Sequence, residues 1–492
     1  MSARFTYPGV HVEEDFSGAH AITSVATSIT LFAGWVSRGP IGRAHPVTGL
    51  ADYQRTFGGL DARSVLGHVV KQFHDNGGSD ALIVRLVDAD AATAAVVHGA
   101  LKFSATSPGQ WANAFAVRTI RYASPGDDRF QLDVLDTGGD PVVVERYRDL
   151  SADPGDPQGR FVEALVNASS AFITVTAIGA SAPADATSAL AGGDDGTPLL
   201  PGSSTFHAAL AAAFEENATA GLDLVNLVCV PGETDVTTLA ALQGWCRKHR
   251  AFLIADADPA ATVRSLSEGT TAVPDGPDAL NAAVFFPWVR APDPLRGGAL
   301  ADFPPCGFVA GVFARTDAAR GVWATPAGQG ASLDGAAGLA VAVDDAGNSL
   351  LNPKAINCLR TFPAYGTVIW GSRTLHGQDA RGSEWKYIPV RRMALFLEET
   401  LYRGTQWVVF EPNDESLWSQ IRLRIGEFLQ GLFHQGAFQG RTPREAYFVK
   451  CDSETTTQAD IDHGVVNTII GFAPLKPAEF VIIKLQQVRP RV

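Results

Sequence analysis

The sequence predicts an α/β multidomain protein: a discontinuous α/β core, an inserted mainly-β domain, a C-terminal α/β unit, and extended arms at both ends. Three observations predict it. Apolar runs alternate with helical periodicity over 28–87 and again over 222–259, the pattern of strands joined by crossover helices. Between these stretches, 102–180 holds only short β-prone segments separated by Gly, Pro and Asp. Both chain ends are β-prone and carry no amphipathic helix to anchor them.

The first segment, 1–20, contains TYPGVHVEED, with Pro8 and Gly9 heading a short run suited to pairing with a sheet edge. SITLFAGWV (28–36) reads as a buried strand, LGHVVKQFHDNGG (66–78) as an amphipathic helix closed by glycine, and ALIVRLV (81–87) as a second strand. The β-rich stretch contains VRTIRYA, FQLDVLD, PVVVERYRDL and FITVTAI, and reads as an insertion into the core. LDLVNLVCVPG (222–232), TTLAALQGWCRKHR (237–250) and AFLIADADP (251–259) form a βαβ pattern, implying a locally parallel sheet. Further on come a long helix RRMALFLEETLYRG, a strand WVVFEP, and a helix SLWSQIRLRIGEFLQGLFHQG with Leu417, Ile421, Ile425, Phe428, Leu429 and Leu432 on one face. The chain closes with EFVIIKLQQVRPRV. The expected boundaries are an N-terminal arm over 1–20, a core over 21–100 plus 200–349, an outer insertion over 101–199, a C-terminal domain over 350–476, and a second arm over 477–492.

The 492 residues are 46% apolar and 18% charged, so the chain has the means to bury large cores and lacks a disorder signature. Lys plus Arg number 39 against 52 Asp plus Glu, a net charge of -13, which argues against a nucleic-acid-coating surface. The balance is uneven. Residues 351–492 hold 17 basic against 14 acidic side chains, and residues 1–350 hold 22 against 38. The C-terminal part is thus suited to an acidic neighbour. Five single cysteines suggest reduced thiols rather than a disulfide framework or a zinc knuckle. Neither a secretory leader nor an 18-residue apolar span is present, so the expectation is a cytoplasmic product, carried out only as part of a larger particle.

No lysine follows a glycine, which excludes a Walker phosphate loop, and no histidine precedes a glutamate, which excludes the zinc-protease helix. GGSDA (77–81) fails the nucleophile-elbow pattern at its last glycine, leaving Ser79 in a turn. Asp256 and Asp258 fall at a strand's carboxyl end, where α/β sheets place ligands; capping of the following turn and helix is the favoured role. GGDDG (192–196) could pair carboxylates around a cation but lacks the other spaced oxygens of a calcium loop. Trp323, Trp370 and Trp407 read as core aromatics. Arg315, Asp317 and Arg320 read as a buried ion network, and Arg373 as a lock between the sheet and a neighbouring loop.

Longer stretches carry a resemblance. YPGVHVEE, TSITLFAGWVSRGP, DYQRTFGG, VVKQFHDNGGSDALIVRL, SPGQWANAFAVR, FFPWVRAPDP, PPCGFVAGVFARTDAARGVWATPAG, NCLRTFPAYGTVIWGSRTL and the stretch from 387 to 440 together resemble the tail sheath proteins of contractile phage tails and contractile injection systems. The match runs from Tyr7 to about Leu485.

The resemblance implies a structural subunit with no catalytic residue, cofactor or metal. Members stack as hexameric rings around an inner tube and contract to drive it through a target envelope. It implies that the N-terminal arm (Tyr7, Pro8, Gly9, Val10, His11, Val12, Glu13, Glu14) and the C-terminal arm (Phe480, Val481, Ile482, Ile483, Lys484, Leu485) add strands to a sheet of another subunit. It places the C-terminal domain against the tube, with Arg422 and Arg424 as the contacts. The implied partners are further copies of the chain in a helical stack, the inner tube protein, and baseplate and terminator or cap proteins, with room for sister sheath subunits. Nucleic acid binding and direct membrane insertion are not implied. Two alternatives stay open: a tube or baseplate protein, and an α/β enzyme using Asp256 and Asp258.

Overall fold

The computed structural model describes residues 21–122, 128–215 and 221–479. The expected arm residues Tyr7 to Glu14 and Phe480 to Leu485 lie outside them. The described chain forms two compact units, residues 26–395 with 476–479, and residues 21–25 with 396–475.

The larger unit is built on an eight-stranded sheet in the order Gly366–Ile369, Ile356–Phe362, Ala282–Phe286, Phe252–Asp256, Leu227–Cys229, Thr30–Trp35, Ala81–Leu86 and His45–Val47. The six inner strands pair in parallel, and the two edge strands pair antiparallel. A parallel sheet is covered on both faces, which is why its strands are continuous apolar runs. Phe32, Ile83, Ile254 and Phe285 face one core with the helices Leu66–Asp75 and Cys306–Arg320. Leu31, Val84, Leu253 and Val284 face the other, with Ser204–Glu215 and Val236–Lys248.

Two glycines set the spacing of the first layer. A Cβ on Gly307 would stand 2.5 Å from the carbonyl oxygen of Val69, and one on Gly311 would stand 2.5 Å from that of Phe73. Glycine four residues apart on Cys306–Arg320 therefore lets its backbone meet the Leu66–Asp75 helix directly.

The insertion comprises a three-stranded sheet (Ala95–His98, Leu101–Ala105, Ile173–Ala177), a four-stranded sheet (Ala186–Ala189, Phe115–Arg121, Arg129–Asp136, Val142–Ser151) and the helix Val162–Ser169. Phe103, Phe130, Leu132, Val166 and Val175 form its own core, although the segment falls within the larger compact unit.

The C-terminal part of the fold differs from expectation in two places. The C-terminal domain was expected from 350, but Ile356–Phe362 and Gly366–Ile369 complete the large sheet, and the smaller unit begins at Phe396, inside the helix Ile388–Gly404. The strand expected at WVVFEP is instead a 3-10 turn, Gln406–Val408, followed by an irregular segment. Among the described residues no neighbouring strand pairs with it, Phe410 adopts a left-handed φ of 74° and is fully exposed, and Pro412 lacks a donor.

The smaller unit contains the helix Glu415–His434, started by Asp414, whose side chain accepts from Leu417 N. Leu417, Trp418, Ile421, Ile425, Leu429 and Leu432 are its buried stripe. Tyr447–Lys450 and Ile469–Phe472 form an antiparallel two-stranded ribbon.

Candidate functional site: arm anchors and the C-terminal unit

Two buried arginines hold described residues near the two ends of the chain, Arg392 at Thr27 and Arg373 at Glu479. Arg373 follows the edge strand Gly366–Ile369 and is 1% exposed, the largest of the fully buried side chains. Its Nη1 donates to the carbonyl of Asn352 at 2.8 Å, that of Gly377 at 3.2 Å and Asp379 Oδ1 at 2.9 Å. Its Nε and Nη2 donate to the two carboxylate oxygens of Glu479, both at 2.7 Å. Burial opposes the charge on Arg373, but Glu479 and Asp379 outweigh it and hold the guanidinium above its ordinary pKa. The loop to which Arg373 locks the sheet is thus the root of the C-terminal arm.

At the other end, Thr27 Oγ1 donates to Asp317 Oδ2 at 2.7 Å. Arg392 donates to Asp317 through Nη1 at 2.9 Å and Nη2 at 2.5 Å, and to the Thr27 carbonyl at 2.9 Å. Both charged side chains are 3% exposed, and the guanidinium lies 5.0 Å from the Phe313 ring centre. The expected Arg315, Asp317 and Arg320 network divides: Arg315 pairs with Asp334 and the Ser332 carbonyl, and Arg320 is exposed. The spacing along one helix explains this, since Arg315 and Asp317 point to different neighbours. Arg392 and Glu479 were missed because their partners are 75 and 106 residues away.

In the smaller unit, Arg422 pairs with Glu415 Oε1 at 2.6 Å and also donates to the Cys451 carbonyl. Arg424 lies over the Trp407 ring at 4.6 Å and, among the described residues, has no carboxylate partner. The nearby surface is apolar, with Tyr402, Val409, Phe410 and Leu423 exposed. Trp323, Trp370 and Trp407 are half-buried rather than core aromatics. Trp370 and Trp407 each lie beside an arginine.

Asp256 is buried, and both its oxygens are occupied: Oδ2 accepts from Gly232 N at 3.0 Å and Oδ1 from Cys306 N at 2.8 Å. It therefore ties two backbone segments together instead of capping the turn that follows. Burial pushes its carboxyl up to about 6. Asp258 does cap its turn, accepting from Ala260 N at 2.7 Å. A crevice of about 540 Å³ opens nearby beside Trp35, Gly232 and Trp288, and neither carboxylate lines it. Ser79 donates to adjacent Asp80 at 2.5 Å. Asp195 accepts from Gln110 N and pairs with Arg63, while Asp194 accepts from Gly196 N. Among the described residues no group of three or more His, Cys, Asp or Glu side chains is placed to hold a metal ion.

A further buried cation lies in the first layer of the sheet. Arg85, alone in the apolar strand Ala81–Leu86, donates to the carbonyls of Val36, Ser37, Gly39 and Pro108 at 2.8–3.0 Å. Burial lowers its pKa to about 10. A single arginine inside ALIVRLV was the available signal.

Residues 208–375 match the family profile described as the phage tail sheath protein central domain, and residues 380–487 match the phage tail sheath C-terminal domain, together more than half of the chain. The chain belongs to the contractile tail sheath family. A Pseudomonas aeruginosa protein named for a prophage major tail sheath is 25% identical to this sheath protein over 358 residues, 69% of this chain and 83% of the relative. The tail sheath protein of Enterobacteria phage T4 is 28% identical over 172 residues, 35% of this chain and 24% of the phage protein. Among solved structures, the PVC sheath complex of an extracellular contractile injection system in its contracted state aligns with a TM-score of 0.63 at 24% identity, covering 99% of both chains. The sheath tail protein of Listeria innocua aligns with a TM-score of 0.63 at 12% identity, covering 92% of this chain and 96% of that one. These likenesses speak to the fold. The chain is a contractile sheath subunit of the phage-tail or injection-system type. No helix among the described residues is long and apolar enough to cross a membrane.

Proposed function

We propose that the subunit polymerises as stacked hexameric rings around an inner tube and contracts to drive that tube through a target envelope, with no catalytic step of its own. The supporting observation is the ribbon Tyr447–Lys450 and Ile469–Phe472: among the described residues each strand has one strand partner, and Phe448 and Ile469 are exposed at 56% and 51%. A two-stranded ribbon is marginal alone, and its open edges offer main-chain donors and acceptors to incoming strands. Residues 7–14 and 480–485 of other copies are the strands that fill them. Edges that would otherwise promote aggregation become specific joints.

The helix Glu415–His434 faces the tube in this reading. Arg424, the guanidinium without a carboxylate partner, makes the stronger contact with an acidic tube surface, and Arg422 makes the weaker one because Glu415 already neutralises it. Contraction draws its energy from intersubunit surface buried in the shorter state. Assembly takes place in the cytoplasm with baseplate and terminator proteins, and the particle is released afterwards. The experiment is removal of residues 1–16. A folded subunit that no longer forms long sheaths supports strand donation, and wild-type sheath lengths oppose it.

A further inference from the structure

The chain leaves the ribbon through Ala473, Pro474, Leu475, Lys476, Pro477, Ala478 and Glu479. Pro477 fixes φ two positions before Glu479. Lys476 and Ala478 are exposed, and Pro477 and Glu479 are half-buried. Apolar burial therefore holds this segment only weakly. Pro477, Ala478 and Glu479 form one wall of a cavity of about 230 Å³, with Trp370 and Ser372 among the residues opposite.

The hold comes from one edge of Arg373. Its Nη1 is consumed by Asn352, Gly377 and Asp379, which would satisfy that end of the guanidinium with no help from the tail. The other edge, Nε with Nη2, makes hydrogen bonds to Glu479 alone, in the parallel two-bond geometry that fixes direction as well as distance. Tyr387 Oη donates to Glu479 Oε2 at 3.3 Å, and Lys386 Nζ stands 3.8 Å from the same oxygen. Arg373, Tyr387 and Lys386 thus converge on Glu479, one residue before the strand-forming run expected at 480–485.

We propose that Arg373 is the positioning residue of the C-terminal arm: by gripping Glu479 it sets the point and direction in which residue 480 and those after it leave the subunit toward a neighbouring copy. A strand that must reach one ribbon edge among many needs a fixed origin. A fixed origin raises its effective concentration at that edge. The proposal rests on the reading that the arm joins a neighbour, and it adds the residue that aims it.

The test uses the full-length subunit with Glu479→Ala, Glu479→Asp, and deletion of 480–492. Limited chymotrypsin cleavage after Phe480 in the unassembled protein reports the grip, and electron microscopy of assembled material reports sheath length. Glu479→Ala is expected to speed cleavage about tenfold, because cleavage follows the population of the released tail. It should shorten sheaths while the melting temperature of the subunit remains near wild type. Glu479→Asp, which keeps the charge on a shorter arm, should recover part of both. Faster cleavage with wild-type sheath length overturns the proposal, as does unchanged cleavage. Wild-type sheaths from the 480–492 deletion remove the arm reading itself, a failure distinct from that of Arg373 alone.

Discussion

Asp317→Ala should destabilise the larger unit far more than simultaneous removal of Asp317 and Arg392. The carboxylate accepts from Arg392 at 2.9 and 2.5 Å and from the Thr27 hydroxyl at 2.7 Å, and both charged side chains are 97% covered (3% exposed). With Asp317 gone, Arg392 keeps one carbonyl, that of Thr27, and the face of Phe313. A buried charge stripped of its partner costs about 3–5 kcal/mol. Arg392→Met leaves the carboxylate with a single hydroxyl and should cost a similar amount. Asp317→Leu combined with Arg392→Met removes both charges and both desolvation costs, so the pair should cost roughly 2 kcal/mol or less. The assay is equilibrium urea unfolding of the unassembled subunit, read through shifts in midpoint at constant slope. Single variants within about 1 kcal/mol of wild type, or a double variant equal to the sum of the singles, would refute the reasoning.

Asp256 gives a pH dependence of defined sign. Its folded-state carboxyl sits at about 6, above the usual value of about 3.9 in an unfolded chain, so its contribution to stability is fully present below pH ~4 and is lost as pH rises through 6. That loss amounts to about 3 kcal/mol, and Asp256→Asn should flatten this part of the stability profile in unfolding titrations between those pH values. Gly307→Ala should destabilise the subunit by about 3 kcal/mol in urea unfolding, since the new methyl meets the Val69 backbone and not a yielding side chain. Arg424→Glu should release tube from sheath more than Arg422→Glu does, scored as the fraction of tube-filled particles after co-expression; equal effects would contradict the order argued from Glu415.

The α/β core was legible because a parallel sheet covered on both faces needs continuous apolar strands, and SITLFAGWV, ALIVRLV and AFLIADADP announce them. The insertion was legible from its turn residues. Legibility ended where long-range pairing decides structure. WVVFEP has strand composition but, among the described residues, no neighbour to pair with, and it curls into a turn with Phe410 in the left-handed region. The start of the C-terminal unit was misplaced because Ile356–Phe362 belongs to a sheet whose other strands lie far upstream. Arg373 was read correctly as a lock, but its partner Glu479 carries no local signal. Arg85 shows in the sequence as a lone charge in an apolar strand, but its four carbonyl partners come from loops that only the fold brings together. The glycines at 307 and 311 carry no local sign of their purpose, a close helix contact, which emerges only when Leu66–Asp75 is brought alongside.

The most direct measurement of the account is electron microscopy of the purified full-length subunit, expressed alone and with its tube protein, beside the same preparations lacking residues 1–16. The account predicts striated hollow cylinders from the full chain and folded but unpolymerised subunits, or only short stacks, from the truncated one. A monodisperse small oligomer from the full chain in both preparations, or cylinders of equal length from the truncated chain, would contradict it.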